Sequence, residues 1–290
     1  MRQKDEEFIL EKIKQLRLID DSMFNVALND NIECVELILQ IILNDDKLKV
    51  EKVTTQYTIP NVLSHGVRFD VLATASGKVY DIEIQRDDSG AVPRRARYNS
   101  SMLDVNSLRA GKQYSELPET YVIFITENDF LKRNKPIYHI RRKIEETDEN
   151  FNDGTHIIYV NGASRDDTAL GRLMQDFFCT SPDKINYKVL ADRMSYLKES
   201  EEGVRIMTSI EKEIYEKGME HGMERGIELG MERGMERGME RGMERGRLDS
   251  LNDIAVRMLK DNVPFELIAK YSKLSMDNIT KIAKEQGLTQ

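Results

Sequence analysis

Two cysteines are all that the 290 residues contain. Cys34 and Cys179 stand far apart in apolar or mixed surroundings. That excludes a disulfide framework and a cysteine metal cage, and a reducing compartment is the simplest reading. No apolar run approaches the roughly 18 residues that a membrane span needs. The opening Met1-Arg2-Gln3-Lys4-Asp5-Glu6 leads into an amphipathic stretch rather than a secretory apolar core, so the expectation is a cytoplasmic chain with no membrane partner. A basic excess is missing as well. The formal net charge is −8, which rules out a protein that coats nucleic acid along its whole length and confines any nucleic-acid site to a local basic patch. What is present is 40% hydrophobic and 32% charged, the balance of a soluble globular protein. The length suits one large domain with appendages, or two domains, at about 100–200 residues each.

Residues 23–43 carry apolar side chains at mostly helical spacing and read as one or two helices. Residues 50–58, rich in Val, Thr and Tyr, read as a strand, and Asn61 to Gly66 as a loop. Residues 67–73 (VRFDVLA) and 79–85 (VYDIEIQ) alternate strongly around Ser76-Gly77-Lys78 and predict a β-hairpin. Residues 92–110 read as a polar, basic helix, and 121–126 and 156–160 as strands buried on both faces. Helices are expected over 166–179 and 183–198. This order predicts an α/β core with a mixed sheet.

Alternate residues of a strand share a face. On the second hairpin strand Tyr80, Ile82 and Ile84 point one way and Asp81, Glu83 and Gln85 the other; on the first, Phe69 and Val71 oppose Arg68, Asp70 and Leu72. Asp70 and Glu83 can then converge. Two carboxylates held close repel each other, and a hard divalent cation relieves that repulsion. Mg²⁺ prefers one or two carboxylates plus waters and phosphate oxygens. The competing reading is a half-solvated hairpin with its polar side outward. Against it stand strands apolar enough to be central, and Arg94-Arg95-Ala96-Arg97, which supplies cations where a phosphate backbone would sit.

The series Arg68-Phe69-Asp70-Val71-Leu72-Ala73, Gly77, Asp81-Ile82-Glu83-Ile84-Gln85, Arg97-Tyr98, Gly111-Lys112-Gln113-Tyr114, Leu117-Pro118 and Tyr121-Val122-Ile123-Phe124-Ile125 resembles the PD-(D/E)XK nuclease superfamily. Within it, the chain is most similar to the recombination-promoting nuclease / putative transposase family, over roughly residues 20–200 and in the style of the tail. The resemblance implies a restriction-endonuclease-like core, a mixed central sheet flanked by helices, followed here by a helical C-terminal extension. It also implies Mg²⁺-dependent hydrolysis of DNA phosphodiester bonds, with Mn²⁺ as an alternative ion. Asp70 and Glu83 match the metal-binding carboxylates, and Gln85 stands where the superfamily usually has lysine. Glutamine keeps the hydrogen bonding and loses the charge. A third carboxylate from the first helix is common in the superfamily, and Asp21 is the candidate; its alternative role is to stabilise a helix N-terminus. Arg94, Arg95 and Arg97 are the candidate phosphate contacts, which position DNA without reading its sequence. Lys132, Arg133, Lys135, Arg141, Arg142 and Lys143 form a second basic run. His65, His139 and His156 have no ligand spacing and are assigned no chemistry.

From Gly218 to Gly246 glycine recurs every fourth residue, eight times, in a G-M-E-R unit with variants around His221, Ile227 and Leu229. A helix would carry each stripe around by about 40° per unit. Each glycine costs roughly 1 kcal/mol relative to alanine, and Arg233–Glu236 and Arg237–Glu240 pairs return about 0.2–0.5 kcal/mol each. Two readings stand level: a helix that joins copies of the chain into a homo-oligomer, with methionine filling gaps, and a semi-flexible helical linker. Residues 249–287 read as three short helices, Pro264 opening the second and Ser275 capping the third, in the manner of a helical hairpin or helix-turn-helix. The expected organisation is a nuclease-like domain over 1–200, the repeat over 201–248 and a small helical tail over 249–290. Two functions follow: a metal-dependent DNA endonuclease, and a catalytically silent DNA- or protein-binding scaffold on the same fold.

Overall fold

The alternation between residues 67 and 85 is realised as two strands on which the rest of the sheet is built. In the computed structural model, which describes residues 3–59 and 66–288, the chain opens with α1 (Gln3–Gln15), α2 (Asp21–Leu28) and α3 (Ile32–Leu43). The apolar run over 23–43 is thus split in two, at Asn29–Asn31. Asp30 takes φ +52°, and the Asn31 side chain accepts the Cys34 amide at 3.1 Å to start α3. Then follow β1 (Lys52–Ile59), β2 (Val67–Ala75), β3 (Lys78–Gln85), α4 (Pro93–Ser107), β4 (Thr120–Thr126), β5 (Ile137–Ile140), β6 (Lys143–Ile144), β7 (Glu149–Asn150), β8 (Thr155–Asn161), α5 (Ala169–Phe177) and α6 (Lys188–Glu199). The loop expected at Asn61–Gly66 and the histidine at 65 lie, Gly66 apart, outside the described residues.

Six strands form one mixed sheet in the order β1-β2-β3-β4-β8-β5. β1, β2 and β3 are antiparallel neighbours, β3, β4 and β8 run parallel, and β5 closes the far edge antiparallel to β8. Ser76 and Gly77, at φ +51° and +72°, make the tight β2–β3 connection, and Lys78 already belongs to the strand. β4 reads YVIFI because both its faces are covered. Ile123 and Ile125 enter a core shared with α1, α2, α3, α5, α6 and Met207, while Val122 and Phe124 enter a second core with Ala96, Met102 and Leu103 of α4. Helices on both faces of a mixed sheet give a restriction-endonuclease-like α/β fold.

Three expectations are corrected. Phe69 and Val71 do not share a face: Val71 lies in the first core, and Phe69 in the second with Phe124. The β1–β2 ladder explains this. It pairs Thr55 with Val71 and Tyr57 with Phe69 but is broken between them, at Gln56 (φ +52°) and Asp70. Second, the stretch read only as a basic run also carries the short strands β5, β6 and β7, the first of them Ile137-Tyr138-His139-Ile140. Third, the segment from 249 does not begin a separate helix. The repeat and its flanks form one helix, α7 (Glu201–Lys260), which precedes α8 (Phe265–Ser272) and α9 (Met276–Glu285).

The chain divides into two compact units, Met1–Ile214 and Tyr215–Gln290. In the first, Glu211 of α7 is buried, ion-paired to Lys12 at 2.7 Å and bonded by the Ser22 hydroxyl. In the second, Ala255 and Leu259 of α7 pack with Ile268, Leu274, Ile279 and Ala283. A three-residue turn joins α8 to α9, with Lys273 at φ +56° and Ser275 accepting the Asn278 amide at 3.3 Å. Along the repeat the methionines are exposed, and a Cβ added at any of its eight glycines meets nothing within 4 Å. No helix among the described residues is long and apolar enough to cross a membrane.

Candidate active site

β3 carries two kinds of side chain to two kinds of surroundings. Tyr80, Ile82 and Ile84 join the first core, while Asp81 and Glu83 face α4 and are as buried as the isoleucines. β2 supplies the third carboxylate. At the break in the ladder the Asp70 amide points to Glu83 Oε1 at 3.4 Å, and Asp70 Oδ2 accepts the Ile84 amide at 3.3 Å. A cavity of about 640 Å³ opens beside Asp70, lined also by Thr58, Arg68, Arg95, Tyr98 and Asn99.

The electrostatics follow from burial. Desolvation, then the charge of Asp70, pushes the Glu83 pKa up to about 7, against the lowering effect of Arg95. Asp70 is raised by desolvation and by the nearby Asp21, with the Ile84 amide, Arg95 and Arg68 pulling the other way. Asp81 is held well above the usual carboxylate range by complete burial and by Glu83. Asn99 Nδ2 donates to Asp81 Oδ2 at 3.2 Å, but Oδ1 receives no donor. Burial and the neighbouring Glu83 carboxyl both favour the protonated form of Asp81, in which that oxygen gains a donor.

α4 places its arginines on different sides. Arg95 and Asn99, one turn apart, face the sheet. Arg95 Nη2 donates to Glu83 Oε2 at 2.7 Å, Nη1 donates to the Gly90 carbonyl at 3.1 Å, and the guanidinium lies 5.9 Å from the Phe124 ring centre. Arg94 and Arg97 are exposed on the outer side. Gln85, in the last position of β3, lies directly over Gly90: a Cβ there would sit 1.7 Å from Gln85 Oε1. The second basic run is divided by the sheet. Lys132, Arg133 and Lys135 lie at the end where β4 and β8 finish, level with Gln85, and Arg141, Arg142 and Lys143 lie past the opposite end. Arg142 and Lys143 are ion-paired to Asp153 and Asp148. His156 is stacked on Tyr121, and His139 is exposed on the edge strand.

The structure therefore brings Asp70, Glu83 and Arg95 together, with Gln85 on the same strand. Asp21, in the first turn of α2, is near enough to act on Asp70. Among the described residues no group of three His, Cys, Asp or Glu side chains that could hold a metal ion is found, which leaves Asp70 and Glu83 as the adjacent pair. The donor set that remains fits a hard divalent cation. Asp70 and Glu83 are two carboxylates crowded at low dielectric, and both resist ionisation as they stand. Asp81, Asn99 and Arg68 were not singled out by sequence reasoning. Alternation places Asp81 beside Glu83, and the i, i+4 spacing of Arg95 and Asn99 is the signal that separates the inner arginine from its neighbours.

A family model described as PD-(D/E)XK nuclease family transposase matches residues 31–220, more than half of the chain. No curated protein matches, and no solved structure matches.

Proposed function

Since the chain belongs to the PD-(D/E)XK nuclease family transposases, we propose that it is a Mg²⁺-dependent DNA endonuclease with Asp70, Glu83 and Gln85 at its centre. Family membership supports nuclease-type function. The observation that carries the finer reading is the pairing of Asp70 with Glu83, buried, mutually repelling and open to a cavity on one side.

Asp70 and Glu83 would hold the ion, with Asp21 close by; Mn²⁺ suits the same oxygens. When bound, the ion supplies a water of lowered pKa and a positive charge against the phosphate. The residues of the chain do the rest. The Gln85 amide sits one alternate position beyond Glu83 and is suited to orient that water by hydrogen bonding. Asp81, pushed toward its protonated form, steadies Glu83; Arg95 meets the phosphodiester at the site, and Arg94 and Arg97, on the outer side of α4, seat flanking backbone. The three parallel strands end on this side, where open α/β sheets usually place their ligands.

The organisation proposed is a nuclease-like domain over 1–200, a repeat segment over 201–248 and a helical tail over 249–290. The exposed methionines and the eight bare glycines of α7 support self-association of that helix with a second copy. A scaffold without catalysis is the second reading, favoured by one observation: Gln85 brings no charge to the site. Plasmid cleavage in Mg²⁺ or Mn²⁺ by the wild type and by Asp70→Ala decides between them. Cleavage by the wild type alone is the expected result. Equal cleavage by both proteins refutes the site, and none by either refutes the enzyme.

A further inference from the structure

Asp70, Asp81 and Glu83 are all acids, and Gln85 is neutral. A phosphodiester cleaved here gathers negative charge, and the chain needs a cation of its own beside it. Arg95 is the cation the structure bonds to this group. Its position is built rather than incidental. The fork is divided between Glu83 Oε2 and the Gly90 carbonyl, and the guanidinium lies over the Phe124 ring. Gly90 is part of the arrangement: a Cβ there would lie 3.4 Å from Arg95 Nη1 and would also collide with the Gln85 amide. Glu83 has no exposed side-chain surface, whereas Arg95 keeps 38% of its own. That free side belongs to the cavity that Asp70, Arg68 and Tyr98 also line.

We propose that Arg95 is an exchangeable counter-ion. It neutralises Glu83 while no substrate is bound, and on binding it turns its guanidinium to a phosphate oxygen, supplying the charge that Gln85 lacks. This deepens, and rests on, the nuclease reading above. Glu83 can release the arginine because a divalent ion carries more charge to the same oxygens, and two cations on one carboxylate oxygen repel. The guanidinium is suited to the exchange because its planar fork matches carboxylate and phosphate alike. No backbone movement is needed, since Arg95 already borders the cavity.

The test uses the full chain in two arms. The first needs no cleavage. A short labelled duplex is titrated in Ca²⁺, a divalent ion that can occupy the carboxylates without supporting hydrolysis, over a series of KCl concentrations with the wild type and with Arg95→Met. A phosphate contact predicts weaker binding by the second protein and a slope of log K against log [KCl] shallower by about one; superimposable titrations overturn the proposal. The second arm compares single-turnover nicking of plasmid in Mg²⁺ by the wild type, Arg95→Met and Arg95→Met/Gln85→Lys. The single variant is expected to lose about a hundred-fold or more, and adding Gln85→Lys is expected to restore about ten-fold or more of that loss. Wild-type rates in the single variant, or no restoration in the double, overturn the charge-supplying role, because a residue that merely pinned α4 to β3 would not be rescued from position 85. Arg95→Gln, which keeps a donor for Glu83 and removes only the charge, replaces Arg95→Met if the latter does not fold. If the wild type itself does not nick, the nuclease reading fails, and the first arm still decides whether Arg95 reaches a phosphate.

Discussion

Replacing Glu83 by glutamine should stabilise the metal-free protein at pH 8 and leave it unchanged in acid. Glu83 has an ordinary pKa of 4.5 when unfolded and about 7 in the folded chain. Its folded value is raised, so its contribution to stability is fully present below the unfolded value. It declines as pH climbs and is gone above the folded one. Between those limits each pH unit withdraws about 1.4 kcal/mol, or about 3 kcal/mol in all. The side chain has no exposed surface, so solvent screening takes little from that figure. Glutamine keeps the shape and accepts the Arg95 hydrogen bond without carrying the charge. In thermal melts of metal-free protein, a unit of this size moves about 2–4 °C per kcal/mol. Glu83→Gln should therefore melt about 6–12 °C above the wild type at pH 8, and the two should converge toward pH 5. Millimolar Mg²⁺ should raise the wild type at pH 8 and leave the variant where it was. A variant that melts below the wild type at pH 8, or a gap that does not change with pH, would refute the claim that burial and Asp70 set the ionisation of Glu83.

Gly90→Ala leaves every charge in place but sets a methyl group 1.7 Å from Gln85 Oε1. Plasmid nicking should fall about ten-fold or more, while the melting temperature moves little because the displaced atom ends a flexible side chain. Gly234→Ala and Gly238→Ala meet open space and should each raise the stability of α7 by about 1 kcal/mol, followed by circular dichroism on heating. If copies associate through the bare glycines, sedimentation will show the same variants shifted toward monomer, and unchanged association counts against that contact. Ser275→Ala removes the acceptor for the Asn278 amide and should cost the second unit about 1 kcal/mol, read as earlier loss of helix in urea.

Much of the site was legible because strands alternate. The positions of Asp70, Glu83 and Gln85 on one hairpin follow from Val, Tyr and Ile falling at every second residue. Four things were not legible, each for a physical reason. The total burial of Asp81 depends on β4 arriving alongside β3 from a distant part of the chain, and on Asn99 of α4 closing over it. The exchange of faces between Phe69 and Val71 coincides with a break in the β1–β2 ladder at Gln56 and Asp70, where Gln56 takes a positive φ for which it has no local preference. The long helix runs against propensity: eight glycines each cost roughly 1 kcal/mol relative to alanine, yet Gly218–Gly246 lies inside α7, continuous with the residues that follow to Lys260. For α4, polar residues on both sides concealed which arginine turns inward, since buried Asn99 and Ser100 interrupt the apolar face made by Ala96, Met102 and Leu103.

The parallel pairing of β3 with β4 has a consequence in time. Val79 meets Thr120 and Gln85 meets Thr126 only after α4 and its flanking turns have crossed the sheet, a long-range closure of the kind that forms slowly. The β2–β3 hairpin, joined by two residues, can form much earlier. Until β4 arrives, Asp81 and Glu83 remain wet, ionise as ordinary acids, and lack the second core against which Arg95 leans. A nascent or half-folded chain therefore holds the acidic residues of the site without its chemistry. The buried surroundings of Asp81 and Glu83 exist only once β4 has docked on β3, so the nuclease reading predicts that cutting competence and folding are acquired together.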